Sequence, residues 1–77
     1  MNLFSAPKGQ KVYISSIKES YIRLRMIEMG LYPGKEISVV FRAPFRGPIA
    51  IDLGSSILSL REDEANLIEV TNKKTQS

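Results

Sequence analysis

The chain contains neither histidine nor cysteine, so any chemistry it performs rests on carboxylates, hydroxyls, amines and guanidinium groups. The thiolate and imidazole ligands of zinc and most transition-metal sites are thereby removed, as is every nucleophile paired with an imidazole base. The densest run of acids is Glu62-Asp63-Glu64, to which Asp52 can be added. Carboxylate oxygens suit a hard cation, but the row has no EF-hand spacing, and acids opening one helical turn are accounted for by the helix dipole. No metal site and no cofactor is expected. No Gly-x-x-x-x-Gly-Lys-Ser/Thr run cradles a phosphate and nothing singles out a Ser-Lys dyad, so the chain reads as a non-enzyme.

Binding is better supported. In Ala43-Pro44-Phe45-Arg46-Gly47-Pro48, an aromatic and an arginine stand between chain breakers. These residue types are enriched at interface hot spots, and loops on a rigid scaffold often carry binding. Two outcomes stay open for Phe45: the ring folds inward to plug one end of the fold, or it projects to meet a partner. With Phe45 and Arg46 we group Arg42, Tyr32, Arg23 and Arg25 as candidate partner-binding residues. The formal charge is +3, and it is unevenly spread. From Lys18 to Arg46 six bases face three acids, whereas from Ala50 to Val70 Arg61 stands alone against five acids.

Such residues need a scaffold, and 77 residues allow one small one. At this size only about 60% of the unfolded surface is buried. A hydrophobic fraction of 43% with 25% charged residues is that of an ordinary globular chain. No apolar run approaches the roughly 20 residues of a membrane helix, and no basic stretch leads into a hydrophobic one, so a cytoplasmic protein is expected. We expect one domain over residues 1–77, with its core at about 9–70 and a polar tail at 71–77.

Met1 to Gln10 lacks periodicity and reads as a lead-in. Val12, Ile14 and Ile17 predict a first strand whose alternation slips at Ser15-Ser16. Ser20 is a suitable N-cap for a short helix from Tyr21 to Met29, with Tyr21, Leu24 and Ile27 beside Ile22, Met26 and Met29 as a wide apolar face. A helix of this length is stable only when packed on a sheet. Gly30 suits the left-handed position that ends it, and Tyr32-Pro33-Gly34-Lys35 fits a type II turn. Gly30, Pro33 and Gly34 are thus structural turn residues. Ile37, Val39 and Phe41, then Ile49, Ile51 and Leu53, then Ile57 to Leu60 predict three more strands, the last two joined through Gly54-Ser55. One helical turn over Arg61 to Asn66 and a closing strand through Leu67, Ile68 and Val70 complete a mainly β chain. Five short strands and one helix favour a small antiparallel β-barrel, since closure removes exposed edges.

The order Arg25-Met26-Ile27-Glu28-Met29-Gly30-Leu31, Pro33-Gly34, Ala43-Pro44 with Gly47-Pro48-Ile49, Leu58-Ser59-Leu60-Arg61, Glu64-Ala65 and Leu67-Ile68-Glu69-Val70 resembles the FeoA family. The resemblance spans roughly Gly9 to Val70. It departs at Gly54-Ser55-Ser56, where family members commonly place the glycine one position later beside an aromatic. It implies an SH3-like barrel and a small cytoplasmic accessory protein of bacterial ferrous iron uptake. The implied partner is the membrane transporter FeoB, through its cytoplasmic GTPase part, with assembly or GTPase activity as the output. Weak self-association through an open barrel edge is a further expectation.

The alternative is a small-barrel nucleic-acid-binding protein that contacts phosphates through Arg23, Arg25, Lys35, Arg42 and Arg46. Against it, the aromatics form no base-stacking motif and the second half of the chain is acidic. No nucleic-acid partner is therefore expected.

Overall fold

A computed structural model describes residues 1–73. Its strands are β1 (Lys11–Ile17), β2 (Glu36–Arg42), β3 (Ile49–Asp52), β4 (Ile57–Leu60) and β5 (Ile68–Thr71). All neighbours are antiparallel, in the order β4-β3-β2-β1-β5. Helix α1 (Arg23–Glu28) follows β1, and α2 (Glu62–Ala65) links β4 to β5. The mainly β, five-stranded expectation holds. The sheet is not closed by hydrogen bonds, however: β4 and β5 are its two ends, and α2 forms the corner between them.

Alternation places one face of each strand in the core. Val12 and Ile14, Ile37 and Val39, Ile49 and Ile51, Leu60, and Ile68 and Val70 are all buried. The slip foreseen at Ser15-Ser16 is a register shift between Ile14 and Ser16 against β5, which restores Ile17 to the core. A second shift, between Val39 and Phe41, leaves both Val40 and Phe41 exposed.

The core does not begin near residue 9. Leu3–Ser5 forms a 3₁₀ turn, and Leu3 and Ala6 are fully buried, so the expected lead-in is packed structure. Apolar side chains at both positions are what a chain this short needs to complete its core. At the other end Thr71 belongs to β5, inside the span expected as a tail, and residues 74–77 of that tail lie outside the described residues.

Helix α1 is shorter than the expected Tyr21–Met29. The Ser20 hydroxyl accepts from Ile22 N at 3.2 Å, and Tyr21-Ile22 is a turn that precedes the first helical residue. The apolar face is narrower as well. Met26 is buried and Ile22 and Ile27 are partly buried against the core, while Tyr21 and Leu24 face solvent at 96% and 66% exposure. A six-residue helix turns too few side chains inward to cover a wider face.

Its C-terminus behaves as expected. Leu31 N donates to Met26 O and Gly30 N to Ile27 O, each at 3.0 Å, which is the Schellman pairing with Gly30 at φ +103°. Leu31 folds back into the core with no exposure. Lys35 N then donates to Tyr32 O at 3.0 Å, closing the type II turn with Gly34 at φ +94°. That turn is tied to β1, because Gly34 N donates to Ile14 O at 2.7 Å and Ile14 N to Lys35 O at 3.0 Å.

Candidate functional site

Residues 43–48 carry the chain from β2 to β3. Ala43 N donates to Pro48 O at 3.0 Å and Gly47 N to Pro44 O at 3.1 Å, so the reversal is made by Pro44-Phe45-Arg46-Gly47. Both central residues have positive φ, 59° at Phe45 and 57° at Arg46. This is the pattern of a type I′ hairpin turn, whose twist matches the flanking strands and which ordinarily takes Asn-Gly. Bulky L-residues at positive φ are strained. Gly47 is required for space: a Cβ there would lie 2.9 Å from Ala43 Cβ and 3.1 Å from the Pro44 carbonyl oxygen.

At the apex Phe45 is 99% exposed. Of the two outcomes left open by the sequence, the ring projects and does not plug the fold. Arg46 turns the other way. Its Nε donates to Glu62 Oε1 at 3.1 Å and its Nη2 to Glu62 Oε2, a two-pronged bond that ties the tip to α2. The hydrogen bond, with the attraction of the opposite charge, holds the Glu62 carboxyl below its ordinary value and raises Arg46.

Arg42 lies below the tip and faces inward. Its Nη1 donates to Phe4 O and its Nη2 to Ala6 O at 2.7 Å. The Arg42 and Arg46 guanidinium carbons stand 5.3 and 5.6 Å from the centre of the Phe4 ring, within cation–π reach. Both arginines thus serve the protein itself.

The structure brings Phe45, Arg46 and Arg42 together around the 3₁₀ turn and α2. Tyr32, Arg23 and Arg25 belong to α1 and the turn after it. No hydrogen bond or ion pair joins them to the tip among the described residues. Tyr32 is 44% exposed. Arg23 Nη1 bonds Glu19 Oε2 at 3.1 Å. Arg25 is exposed and borders a groove between α1 and β4 together with Met26, Met29, Leu58, Leu60 and Glu64.

Sequence reasoning missed Phe4 and Glu62 as parts of this region. Glu62 was legible only as an acid at a helix start, and nothing in the sequence links it to Arg46. Glu64 Oε1 accepts from Arg61 N at 2.8 Å and Asp63 Oδ1 from Glu64 N at 3.1 Å, so with Glu62 held by Arg46 all three acids of the row have hydrogen-bond partners. Among the described residues no group of three or more acidic side chains is gathered around a point that could hold a cation. Among the described residues no helix is long and apolar enough to cross a membrane.

The FeoA domain family matches residues 1–72. A solved iron(II) transport protein A from Clostridium thermocellum is 35% identical over 91% of this chain and 44% of its own length, with a TM-score of 0.85. This chain therefore spans less than half of that relative. A FeoA-like protein from Clostridium acetobutylicum is 36% identical over 92% of this chain and 84% of its own length, with a TM-score of 0.83. The zinc complex of Stenotrophomonas maltophilia FeoA, described as a prokaryotic SH3 domain protein, shares the fold at a TM-score of 0.79, with 24% identity over 92% and 89% of the two chains. No curated protein sequence matches the chain.

Proposed function

Because the chain belongs to the FeoA family, we propose that it is a non-enzymatic accessory protein of bacterial ferrous iron uptake. It binds a FeoB-type membrane transporter on the cytoplasmic side and modulates that transporter's assembly or GTPase activity. The observation that carries the choice of surface is Phe45, a large ring with 99% exposure held outward by a backbone at φ 59°. Straining the backbone beneath such a ring costs stability, and strain of this kind gathers at binding sites.

The remaining tip geometry supports the same reading. Arg46 is neutralised by Glu62 and Arg42 is engaged by two carbonyls, so the apex offers an apolar anchor on a braced base. Rigid anchors lose little entropy on binding, which favours affinity. The same engagement weighs against the nucleic-acid alternative, since it occupies two of the guanidinium groups that would contact phosphates.

A pulldown with the cytoplasmic GTPase part of a FeoB-type transporter, read alongside GTP hydrolysis, tests this function. Retention by the native chain with loss in Phe45→Ala and Arg46→Glu is the expected result. Equal retention of all three chains would place the docking surface elsewhere, and no retention of the native chain would remove the partner.

A further inference from the structure

The end of the β2–β3 hairpin wears its side chains in reverse. Ile37 and Val39 point into the core, and unbroken alternation would send Phe41 after them and Arg42 to solvent. The register shift between Val39 and Phe41 exchanges the two faces. Val40 and Phe41 together stand against Ala50, as the two residues of a bulge do. Arg42, opposite the buried Ile49, is drawn in to the carbonyls of Phe4 and Ala6, while Phe41 is left 55% exposed beside an exposed Val40.

This exchange leaves the outward side of the hairpin without a free charge. From Val40 to Ile51 the only ionisable side chains are Arg42 and Arg46, and both turn to the inner side, where Glu62 holds Arg46. On β4 the residue that faces Ala50 is Ser59. On the β1 side, Lys8 bridges Val39 through the backbone and is an exposed base at the margin.

We propose that the transporter-binding surface is the outward side of this hairpin, with Val40, Phe41 and Ala50 continuing from the Phe45 tip, and that it meets an apolar, uncharged patch on the transporter's cytoplasmic part. The inference rests on the accessory role proposed above and names the chemistry of that partner's surface. A standard interface takes about 800 Å² from each partner, a patch roughly 30 Å across. Phe41 lies four residues before Phe45, at most about 13 Å of extended chain. A partner seated on the Phe45 ring therefore spreads along a side of the hairpin. The inner side is closed, since Arg42 and Arg46 bind it to the 3₁₀ turn and to α2, and the outward side is open at Val40 and Phe41. Its lack of charge decides what fits there, because a charged group buried against Phe41 and Ala50 would lose its water and find no counter-charge.

The test measures, by calorimetry, the affinity of the full chain for the cytoplasmic GTPase part of a FeoB-type transporter. The native chain should bind with a Kd that changes less than about twofold between roughly 0.05 and 0.5 M NaCl, a range over which the screening length shrinks about threefold. Phe41→Thr, which keeps a strand former at an exposed position, should weaken binding about tenfold or more, with thermal unfolding close to that of the native chain. Lys8→Glu inverts the charge at the margin and should bind as the native chain does. Loss of binding in Phe45→Ala with native affinity in Phe41→Thr would overturn this extension and leave the accessory role standing, whereas a native chain that does not bind at all would overturn both. A Kd that rises about tenfold with salt, or that follows the sign of the charge at Lys8, would overturn the uncharged partner. Self-association of the free chain that Phe41→Thr abolishes would also overturn it, by making a second copy the occupant.

Discussion

Arg46 at the β2–β3 tip and Glu62 at the start of α2 are joined side chain to side chain, with Nε 3.1 Å from Oε1 and a second bond from Nη2 to Oε2. The pair crosses 16 residues of sequence and braces the turn from which Phe45 projects. Its energetic weight is modest because both partners meet water, but its location decides how firmly the apex is held.

The first prediction concerns pH. Arg46, through its hydrogen bond, lowers the Glu62 carboxyl below the ordinary 4.5. A carboxyl depressed on folding contributes stability above its unfolded value and loses it as pH falls through the folded one. The brace should therefore be complete at neutral pH and fail on acidification below the ordinary carboxylate range. The protection of the Gly47 amide, which donates to Pro44 O, should fall there once exchange is corrected for its intrinsic pH dependence, and Glu62→Gln should remove the transition.

Arg42, by residue type and place a candidate for partner binding, donates to the carbonyls of Phe4 and Ala6. Arg42→Ala should destabilise the fold by about 1–3 kcal/mol, because partly buried acceptors lose a charged donor. Chemical denaturation measures this, and faster exchange around Leu3 should accompany it.

The helix stop sets a third expectation. A Cβ on Gly30 would meet Leu53 Cδ1 at 3.4 Å, an ordinary contact, so the penalty there comes from φ +103°. Gly30→Val should cost about 1–3 kcal/mol from backbone strain. Leu31→Ala, which empties a fully buried site, should cost about 2–5 kcal/mol. Thermal melts of the two variants separate strain from lost packing if Gly30→Asn, compatible with a left-handed backbone, recovers part of the first loss.

How much of this was legible in the sequence follows from interaction range. The Gly30 stop, the Tyr32-Pro33-Gly34-Lys35 turn and the slip at Ser15-Ser16 depend on neighbours within a few residues, and all three appear as expected. The packed Leu3 and Ala6 were missed because ten residues with Pro7 and Gly9 show no period, and their burial is decided by the distant strands they cover. Tyr21 and Leu24 lie on the predicted apolar face but point to solvent, because Tyr21 precedes the helix and six helical residues turn too few side chains inward to bury that whole face. At the tip the breakers marked a loop, but residue types alone could not choose between plug and anchor. That choice rests on the positive φ of Phe45 and Arg46, imposed by closing β2 onto β3, and on the bond to Glu62.

The central claim is that the strained, outward Phe45 is kept for binding at a cost in stability. The most direct measurement compares the native chain with Phe45→Asn, a residue tolerant of the left-handed region, in thermal unfolding and in affinity for the cytoplasmic part of a FeoB-type transporter. The account predicts a variant stabilised by about 1 kcal/mol, as strain is released, with partner affinity reduced at least about tenfold, as for the loss of an aromatic anchor. A variant that is no more stable and binds with native affinity would contradict it.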